Sequence, residues 1–292
     1  MAAENAGAHG PSAGEYIQHH LQHLQKDFNF QSVKQTSVVD FGVFNFDSIF
    51  FSVVLGALGC FLLWSAARKA TSGVPGRFQA AVEILSEMVE NQAKGVIHNA
   101  TSRKLISPLA LTVFVWIFLM NAMDMLPVDL IPQIWHTAGP ALGFKDYMRV
   151  VPTADLSTTL GLSCSVLLIC IFYNIKIKGL GGWAHELIAA PFGDHWLLYP
   201  INFLMQMIEY LAKTVSHGMR LFGNMFAGEL VFMLIALMGG GWALSATGVG
   251  LAIGHVLAGS VWTIFHILVI TLQAFIFMML TLIYTGQAHD SH

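Results

Sequence analysis

The sequence predicts an all-α polytopic membrane protein with five membrane-spanning helices and one interfacial amphipathic helix. Its 292 residues are 55% hydrophobic and only 11% charged, which is typical of membrane proteins and excludes an average soluble domain. Several charge-free stretches have the roughly 20 residues needed to cross a bilayer. The 14 Lys and Arg residues lie almost entirely between those stretches. No internal repeat is visible, which weighs against transporter folds built from inverted repeats.

The first 47 residues are polar and precede a single transmembrane helical domain over residues 48–292. Residues 16–24 are predicted to form a short amphipathic surface helix, since apolar side chains recur there at helical spacing. These apolar side chains are Ile17, Leu21 and Leu24. His19 and His23 would lie four residues apart on that helix, a spacing that can hold a metal. No third ligand is fixed nearby, so we favour the plain amphipathic helix.

The apolar blocks predict where the helices cross. The spans are expected at about 48–67, 105–123, 156–175, 196–238 and 250–286. The fourth is too long for one perpendicular crossing of a ~30 Å core, so it must tilt strongly or break. Residues 77–104 alternate apolar and acidic faces at helical spacing, which predicts a helix lying in the interface.

Lysine and arginine counts predict the orientation. Residues 68–104 hold six of these cations and residues 176–178 hold two. The acidic loop between the second and third spans holds two, and so does the N-terminal segment. Because positive loops stay in the cytoplasm, we expect a periplasmic N-terminus and, after five crossings, a cytoplasmic C-terminus.

Other motifs indicate no metal, cofactor or nucleic-acid site. Cys60, Cys164 and Cys170 lie within apolar runs and lack metal or disulfide spacing, which favours a packing role. His185 and Glu186 begin like a zinc-protease helix, but the second histidine of that motif is absent four residues on. We therefore expect no metalloenzyme.

The fourth span carries charge inside the membrane. Arg220 cannot lose its proton and costs roughly 3 kcal/mol at the centre of a bilayer helix, so it is a functional candidate. Glu209, Lys213 and Asn224 share its helical stripe, whereas Glu229 faces the opposite way. Small residues lie among them and would let another helix approach closely. These small residues are Gly218, Gly223, Ala227 and Gly228.

The last span is the second unusual stretch. Residues 230–289 contain no Asp, Glu, Lys or Arg, so their polar groups stand out. Four of those groups share one helical stripe: His255, His266, Gln273 and Tyr284. Glu229 and His266 are titratable, and proton transfer across a membrane needs such groups.

Two segments carry a family resemblance. Arg220-Leu-Phe-Gly-Asn224-Met-Phe-Ala-Gly-Glu229 and Phe265-His266-Ile-Leu-Val-Ile-Thr-Leu-Gln273-Ala-Phe-Ile-Phe resemble the paired signature of subunit a of F-type ATP synthases. Upstream, residues 121–132 and 15–21 resemble the proteobacterial branch of that family. The resemblance therefore covers most of the chain.

The resemblance implies a proton-conducting stator subunit that does no ATP chemistry itself. It implies two offset half-channels, with Arg220 facing the carboxylate of a rotating c-subunit ring and the last two helices tilted against that ring. The implied inlet residues are Glu229, His266, Gln273, Asn224, Asp124 and Asp129. The outlet residues are Glu209, Lys213, Ser216, His217 and Tyr284. The implied partners are the c-subunit ring, the b-subunit peripheral stalk, the remaining ATP synthase subunits and lipid in a bacterial inner membrane, with no cofactor.

Simpler interpretations stay open. Glu229 and His266 could bond each other for helix packing alone. Asp124 and Asp129 could have no role in proton transfer, because a carboxylate near the membrane interface costs little free energy. Glu209 and Lys213 could form a plain helix pair at i, i+4. A secondary proton-coupled transporter or a stand-alone proton channel would also contain buried Arg, Glu and His.

The chain departs from the family pattern at three positions. His217 replaces a residue that is commonly apolar, and Thr214 stands where proline is common. We hypothesise that His217 makes proton release depend on pH between about 5 and 8. Phe226 stands where tyrosine is usual and removes a hydroxyl from the inlet.

Overall fold

The chain is helical for most of its length. The computed structural model describes residues 13–33, 35, 40, 42–71, 73–127, 130–138, 148–189, 192–193, 195–240 and 245–287. Among these residues, five helices are long and apolar enough to cross a membrane. They correspond to the five predicted spans, and the all-α polytopic membrane fold is confirmed.

Within the described residues, the chain forms eight α-helices and two short strands. The helices are α1 (Ala13–His20), α2 (Phe46–Arg68), α3 (Arg77–Val96), α4 (Ala100–Ala122), α5 (Leu130–Ala138), α6 (Leu156–Ala189), α7 (Tyr199–Gly240) and α8 (Ala246–Gly286). The two strands are β1 (Gln25–Asp27) and β2 (Val43–Asn45). Short 3₁₀ turns follow α4 at Met123–Met125 and precede α6 and α7.

The N-terminal segment differs from the prediction. Helix α1 runs over Ala13–His20, so the helix predicted over residues 16–24 begins and ends too late, and His23 is not on it. The chain becomes extended because β1 pairs antiparallel with β2, with Lys26 opposite Phe44. That pairing brings the start of α2 beside the residues that follow α1.

The predicted interfacial helix is shorter than expected. Helix α3 ends at Val96, where Ile97 takes an extended conformation. Asn99 then begins α4, since its side-chain oxygen accepts the backbone N–H of Thr101 at 2.9 Å. An asparagine cap of this kind favours a new helix over continuation of the old one. Arg103 consequently lies on α4 rather than on α3.

The third and fourth long helices also differ from the simplest expectation. Helix α6 continues to Ala189, well past the predicted end at residue 175, with a bend at Gly179, whose φ of 75° favours glycine. Helix α7 is continuous over 42 residues. At ~1.5 Å per residue it is roughly 63 Å long. The sequence allowed either a strong tilt or a break in this span, and the continuous helix excludes the break.

The chain falls into two compact units. Unit 1 comprises Met1–Val53, Met120–Pro152 and Asn224–Val269. Its interior contains Leu24, Met148, Met225 and Met233. Unit 2 comprises Val54–Leu119, Thr153–Gly223 and Ile270–His292. Its interior contains Val89, Ile106, Ile117, Val166, Leu221, Phe277, Met278 and Leu282.

Candidate functional site

Asp47 organises the polar centre of unit 1. The β1 and β2 ladder ends where Asp47 begins α2, beside Leu24, and the carboxylate is fully buried. Its Oδ2 accepts the backbone N–H of Leu24 at 3.0 Å and that of Arg149 at 3.1 Å. Its Oδ1 accepts the N–H of Ser48 at 2.8 Å. One carboxylate therefore joins the N-terminal segment, α2 and the segment before α6.

Arg149 forms a buried ion pair with Glu229 of α7. Its Nε donates to Glu229 Oε1 at 3.2 Å and its Nη2 donates to Oε2, so the guanidinium and the carboxylate meet as two parallel forks. Both residues are buried, at 5% and 7% exposure. The guanidinium carbon also lies 5.8 Å from the ring centroid of Phe226. Arg149 Nη1 contacts His23 Nε2 at 2.9 Å.

His266 of α8 pairs with Asp124 in the same unit. Its Nε2 lies 2.7 Å from Asp124 Oδ2, and both side chains are buried. The imidazole packs between Phe232 and Trp262, with ring centroids 5.2 and 6.0 Å away. It also lies against the backbone of Gly228, where a Cβ atom would collide with the ring. Only glycine leaves room for this histidine.

We refer to His23, Asp47, Asp124, Arg149, Glu229 and His266 as the Glu229 cluster. Three of its members, Asp124, Glu229 and His266, are predicted from the sequence, and the structure brings them into one unit. The sequence considered Glu229 and His266 as a pair, whereas each forms its ion pair with a different residue. Carboxylates and imidazoles at hydrogen-bond distance can pass protons among themselves.

Sequence reasoning missed the other members of the cluster. Arg149 entered only the count of positive charges, although an arginine in an acidic segment next to an apolar span is itself a signal of a buried partner. His23 was assigned to a surface helix, and Asp47 lies at the last residue before the predicted first span. No local pattern in the sequence links these three residues.

The remaining predicted inlet residues lie elsewhere. Asn224 is exposed on α7 in unit 1. Gln273 is buried on α8 in unit 2. Asp129 lies outside the described residues.

Unit 2 contains a small, mainly apolar cavity, which we call the His217 cavity. Its volume of about 20 Å³ is enough for one water molecule. Its walls come from α6, α7, α8 and the residue after α8: Ser163, Val166, Leu167, Cys170, Tyr210, Lys213, Thr214, His217, Tyr284 and Gln287. His217 is 2% exposed, and its Nε2 has no hydrogen-bond partner among the described residues. Its ring lies on Phe277, with centroids 3.8 Å apart.

Three predicted outlet residues, Lys213, His217 and Tyr284, line this cavity. Lys213 Nζ lies 2.6 Å from Glu209 Oε1, donates to Gln287 Oε1 at 2.9 Å, and sits 5.5 Å from the Tyr284 ring centroid. The pair with Glu209 is the i, i+4 contact that the sequence allows. Ser216 is exposed and is not among the cavity residues.

The α6 wall of the cavity was not predicted. Ser163 donates its hydroxyl to the backbone oxygen of Thr214 at 2.6 Å, and Cys170 Sγ lies 3.0 Å from the backbone oxygen of Tyr284. Both are small residues within an apolar run, which is equally typical of helix packing. Nothing in their spacing distinguishes the two roles.

Arg220 is exposed on α7 in unit 2. It forms no ion pair with any residue that the structure describes. Most neighbouring exposed positions on α7 are apolar or small, including Val215, Met219 and Gly223, and Asn224 is the polar exception. Within the described ranges, no three His, Cys, Asp or Glu side chains are placed to hold a metal ion.

Comparison with known proteins identifies the family. The sequence model of the ATP synthase A chain matches residues 49–286. The chain belongs to the ATP synthase A chain family. This member is a multi-pass membrane protein. The resemblance stated from the two signature segments is confirmed.

Members of the A chain family from proteobacteria align along the whole sequence. "ATP synthase subunit a" of Paracidovorax citrulli (strain AAC00-1) is 68% identical over 301 residues, covering 100% of both chains. The protein of the same name from Acidovorax sp. (strain JS42) is 68% identical over 98% of this chain and 99% of its own. The protein of the same name from Shewanella piezotolerans is 49% identical over 95% of this chain and 96% of its own.

Proposed function

We propose that this chain is the proton-conducting stator subunit of an ATP synthase. It forms two offset half-channels that carry protons to and from a carboxylate on a rotating ring, and so couples proton flow to rotation and ATP synthesis. The observation that carries this proposal is Arg220, a permanent cation exposed on a membrane-spanning helix with no ion pair among the described residues. Family membership supports the same function.

An unpaired arginine in lipid requires a partner. Its cost of roughly 3 kcal/mol at the bilayer centre is removed when a carboxylate from a neighbouring protein pairs with it. The c-subunit ring supplies one carboxylate per subunit, and the small and apolar residues beside Arg220 suit a surface that slides past. Arg220 stabilises the ionised form of the ring carboxylate. Because Arg220 keeps its own proton, it also blocks the direct passage of protons from one half-channel to the other.

The Glu229 cluster serves as the inlet. Its carboxylates and imidazoles take protons from outside and pass them towards the ring, with Asn224, Gln273 and Asp129 as the further inlet residues. Supporting this role, the cluster combines mostly buried titratable side chains that are paired with one another, Arg149 with Glu229 and His266 with Asp124. Buried groups of this kind in a membrane protein usually belong to a proton pathway.

The His217 cavity serves as the outlet. Lys213, His217 and Tyr284 line a space that holds about one water molecule, and protons leave through it towards the cytoplasm. Glu209 and Ser216, both exposed on α7, continue the path.

The chain works within a complex in the bacterial inner membrane. Its partners are the c-subunit ring, the b-subunit peripheral stalk and the remaining ATP synthase subunits, and no nucleic acid is involved. The N-terminus is periplasmic and the C-terminus cytoplasmic, as the positive-inside rule predicts. Each proton moved down the potential supplies ~2.3 kcal/mol per 100 mV.

A secondary transporter or stand-alone channel is not favoured. Such a protein would carry its own counter-carboxylate for Arg220, and the described residues provide none. In addition, the relatives that align with this chain along its length are named as ATP synthase subunits.

Arg220→Ala tests the proposal in the assembled complex. ATP-driven proton pumping and ATP hydrolysis are measured in parallel in inverted membranes. We expect pumping to be lost while the complex stays assembled and hydrolysis continues. Arg68→Ala, which removes an exposed cation at the end of α2, is the control and should pump normally. Undiminished pumping in Arg220→Ala would overturn the proposed function.

A further inference from the structure

His23 lies at the outer edge of the Glu229 cluster. It follows α1 and precedes β1, outside the membrane-spanning helices. Its Nε2 lies 2.9 Å from Arg149 Nη1, and its Nδ1 lies 3.5 Å from Asp47 Oδ2. The side chain keeps 16% of its surface exposed, whereas Asp47 has none. His23 is therefore the most exposed side chain of the Glu229 cluster.

The contact with Arg149 fixes the protonation state of His23. A guanidinium has only donors, so Nε2 at 2.9 Å must accept and carry no proton. The proton of the neutral ring is then on Nδ1, which faces the carboxylate of Asp47. A second proton on Nε2 would place two N–H groups against each other and end the hydrogen bond.

Arg149 is held from three sides. Its backbone N–H is fixed by Asp47, and its Nε and Nη2 are taken by Glu229. Among the described residues, His23 is the acceptor for Nη1. When that acceptor is lost, the guanidinium loses one of the three contacts that orient it on Glu229.

We infer that His23 is a positioning residue whose protonation slows the loading of Glu229 with protons. The neutral ring orients Arg149, whereas the imidazolium releases Nη1 and adds a positive charge beside the Arg149 and Glu229 pair. Extra positive charge opposes proton uptake by a neighbouring carboxylate, and loss of the orienting contact slows proton exchange even without added charge. The inference rests on the proposed function, in which Glu229 belongs to the inlet.

The groups facing His23 come from three elements. They are Asp47 at the start of α2, Arg149 in the segment before α6 and, through Arg149, Glu229 of α7. The Asp124 and His266 pair belongs to the same unit and also consists of ionisable side chains. Any test must therefore separate His23 from this background.

Two substitutions separate titration from packing. In His23→Gln, the side-chain oxygen takes the place of Nε2 and accepts from Arg149 at every pH. In His23→Leu, no acceptor is present at any pH. His98→Gln is the control, because His98 is an exposed histidine in unit 2 between α3 and α4.

The experiment uses the complete ATP synthase reconstituted in vesicles. ATP synthesis is driven at fixed membrane potential while the pH on the side of the N-terminus is varied from about 5 to 8, the range in which histidine titrates. At the upper end of this pH range, the unmodified complex and His23→Gln should synthesise ATP at equal rates. At the lower end the unmodified complex should be about 2- to 12-fold slower than His23→Gln, the fold-change that corresponds to one hydrogen bond. His23→Leu should be slow throughout, and His98→Gln should follow the unmodified complex.

Two results would overturn the inference. One is a single shared pH profile for the unmodified complex, His23→Gln and His23→Leu. The other is equal slowing of both variants with the unmodified profile shape, which would mean that His23 only packs. Failure of the proposed function looks different, since ATP synthesis would then survive Arg220→Ala.

Discussion

Replacing Arg149 with leucine should destabilise the fold strongly. The substitution removes both hydrogen bonds to the Glu229 carboxylate and leaves that group buried at 7% exposure without its partner. Removing one member of a buried ion pair typically costs about 3–5 kcal/mol, because the other charge stays uncompensated. We expect that loss in the free energy of unfolding of Arg149→Leu.

The double substitution makes this prediction sharper. Glu229→Leu alone should cost a similar amount, since it leaves Arg149 buried and unpaired. Arg149→Leu combined with Glu229→Leu should cost no more than either alone, because the two leucines need no partner. Simple addition would instead give about 6–10 kcal/mol, so the coupling is easily measured.

Titration with a denaturing detergent in bicelles gives these free energies of unfolding. Arg103→Leu is the matched control: Arg103 Nε lies 3.2 Å from Glu90, but the two side chains are 23% and 36% exposed. An exposed pair contributes only about 0–1 kcal/mol, so this variant should be nearly as stable as the original chain. Equal losses for Arg103→Leu and Arg149→Leu, or additive losses in the double variant, would refute the reasoning.

Two further substitutions test the inlet and the outlet. Gly228→Ala should push the His266 ring away from Asp124 and slow ATP-driven proton pumping about 10- to 100-fold, because misplacement of a proton-transfer group by ~1 Å is that costly. Gly240→Ala, whose Cβ meets nothing within 4 Å, should pump normally, and equal pumping by both would contradict the prediction. Silver ions should slow pumping if the His217 cavity is hydrated, because Ag⁺ displaces the thiol proton of Cys170 and binds its sulfur. Cys170→Ser, which keeps the other two cysteines, should resist silver, and unchanged inhibition would mean that silver acts elsewhere.

Much of the fold is legible in the sequence because bilayer thickness and charge act on local segments. Hydropathy predicts the five long helices, and the cost of a charge in lipid indicates that Arg220 is a functional candidate. The second half of α6 does not follow. It depends on a bend at Gly179 and on Lys178 Nζ, which meets the carboxylate of Glu186 at 2.8 Å across that bend. No periodicity of apolar residues reports such a contact.

The candidate site was predicted where its residues lie on one helix. Lys213 and His217 are close in sequence, and their shared cavity agrees with their spacing. Arg149 and Glu229 are 80 residues apart, and Arg149 and Asp47 are 102 apart. A single sequence contains no signal for such distant pairs, so the Glu229 cluster was predicted only in part.

These separations along the sequence also set the order in which the Glu229 cluster, the proposed inlet, is completed during synthesis. Arg149 leaves the ribosome 80 residues before Glu229, which corresponds to about 4–16 s at typical elongation rates. During that interval Arg149 and His23 have no carboxylate from α7 to enclose, and Asp124 waits longer still for His266 on the following helix. The proposed inlet is therefore complete only after α7 and α8, which carry Glu229 and His266, have been made.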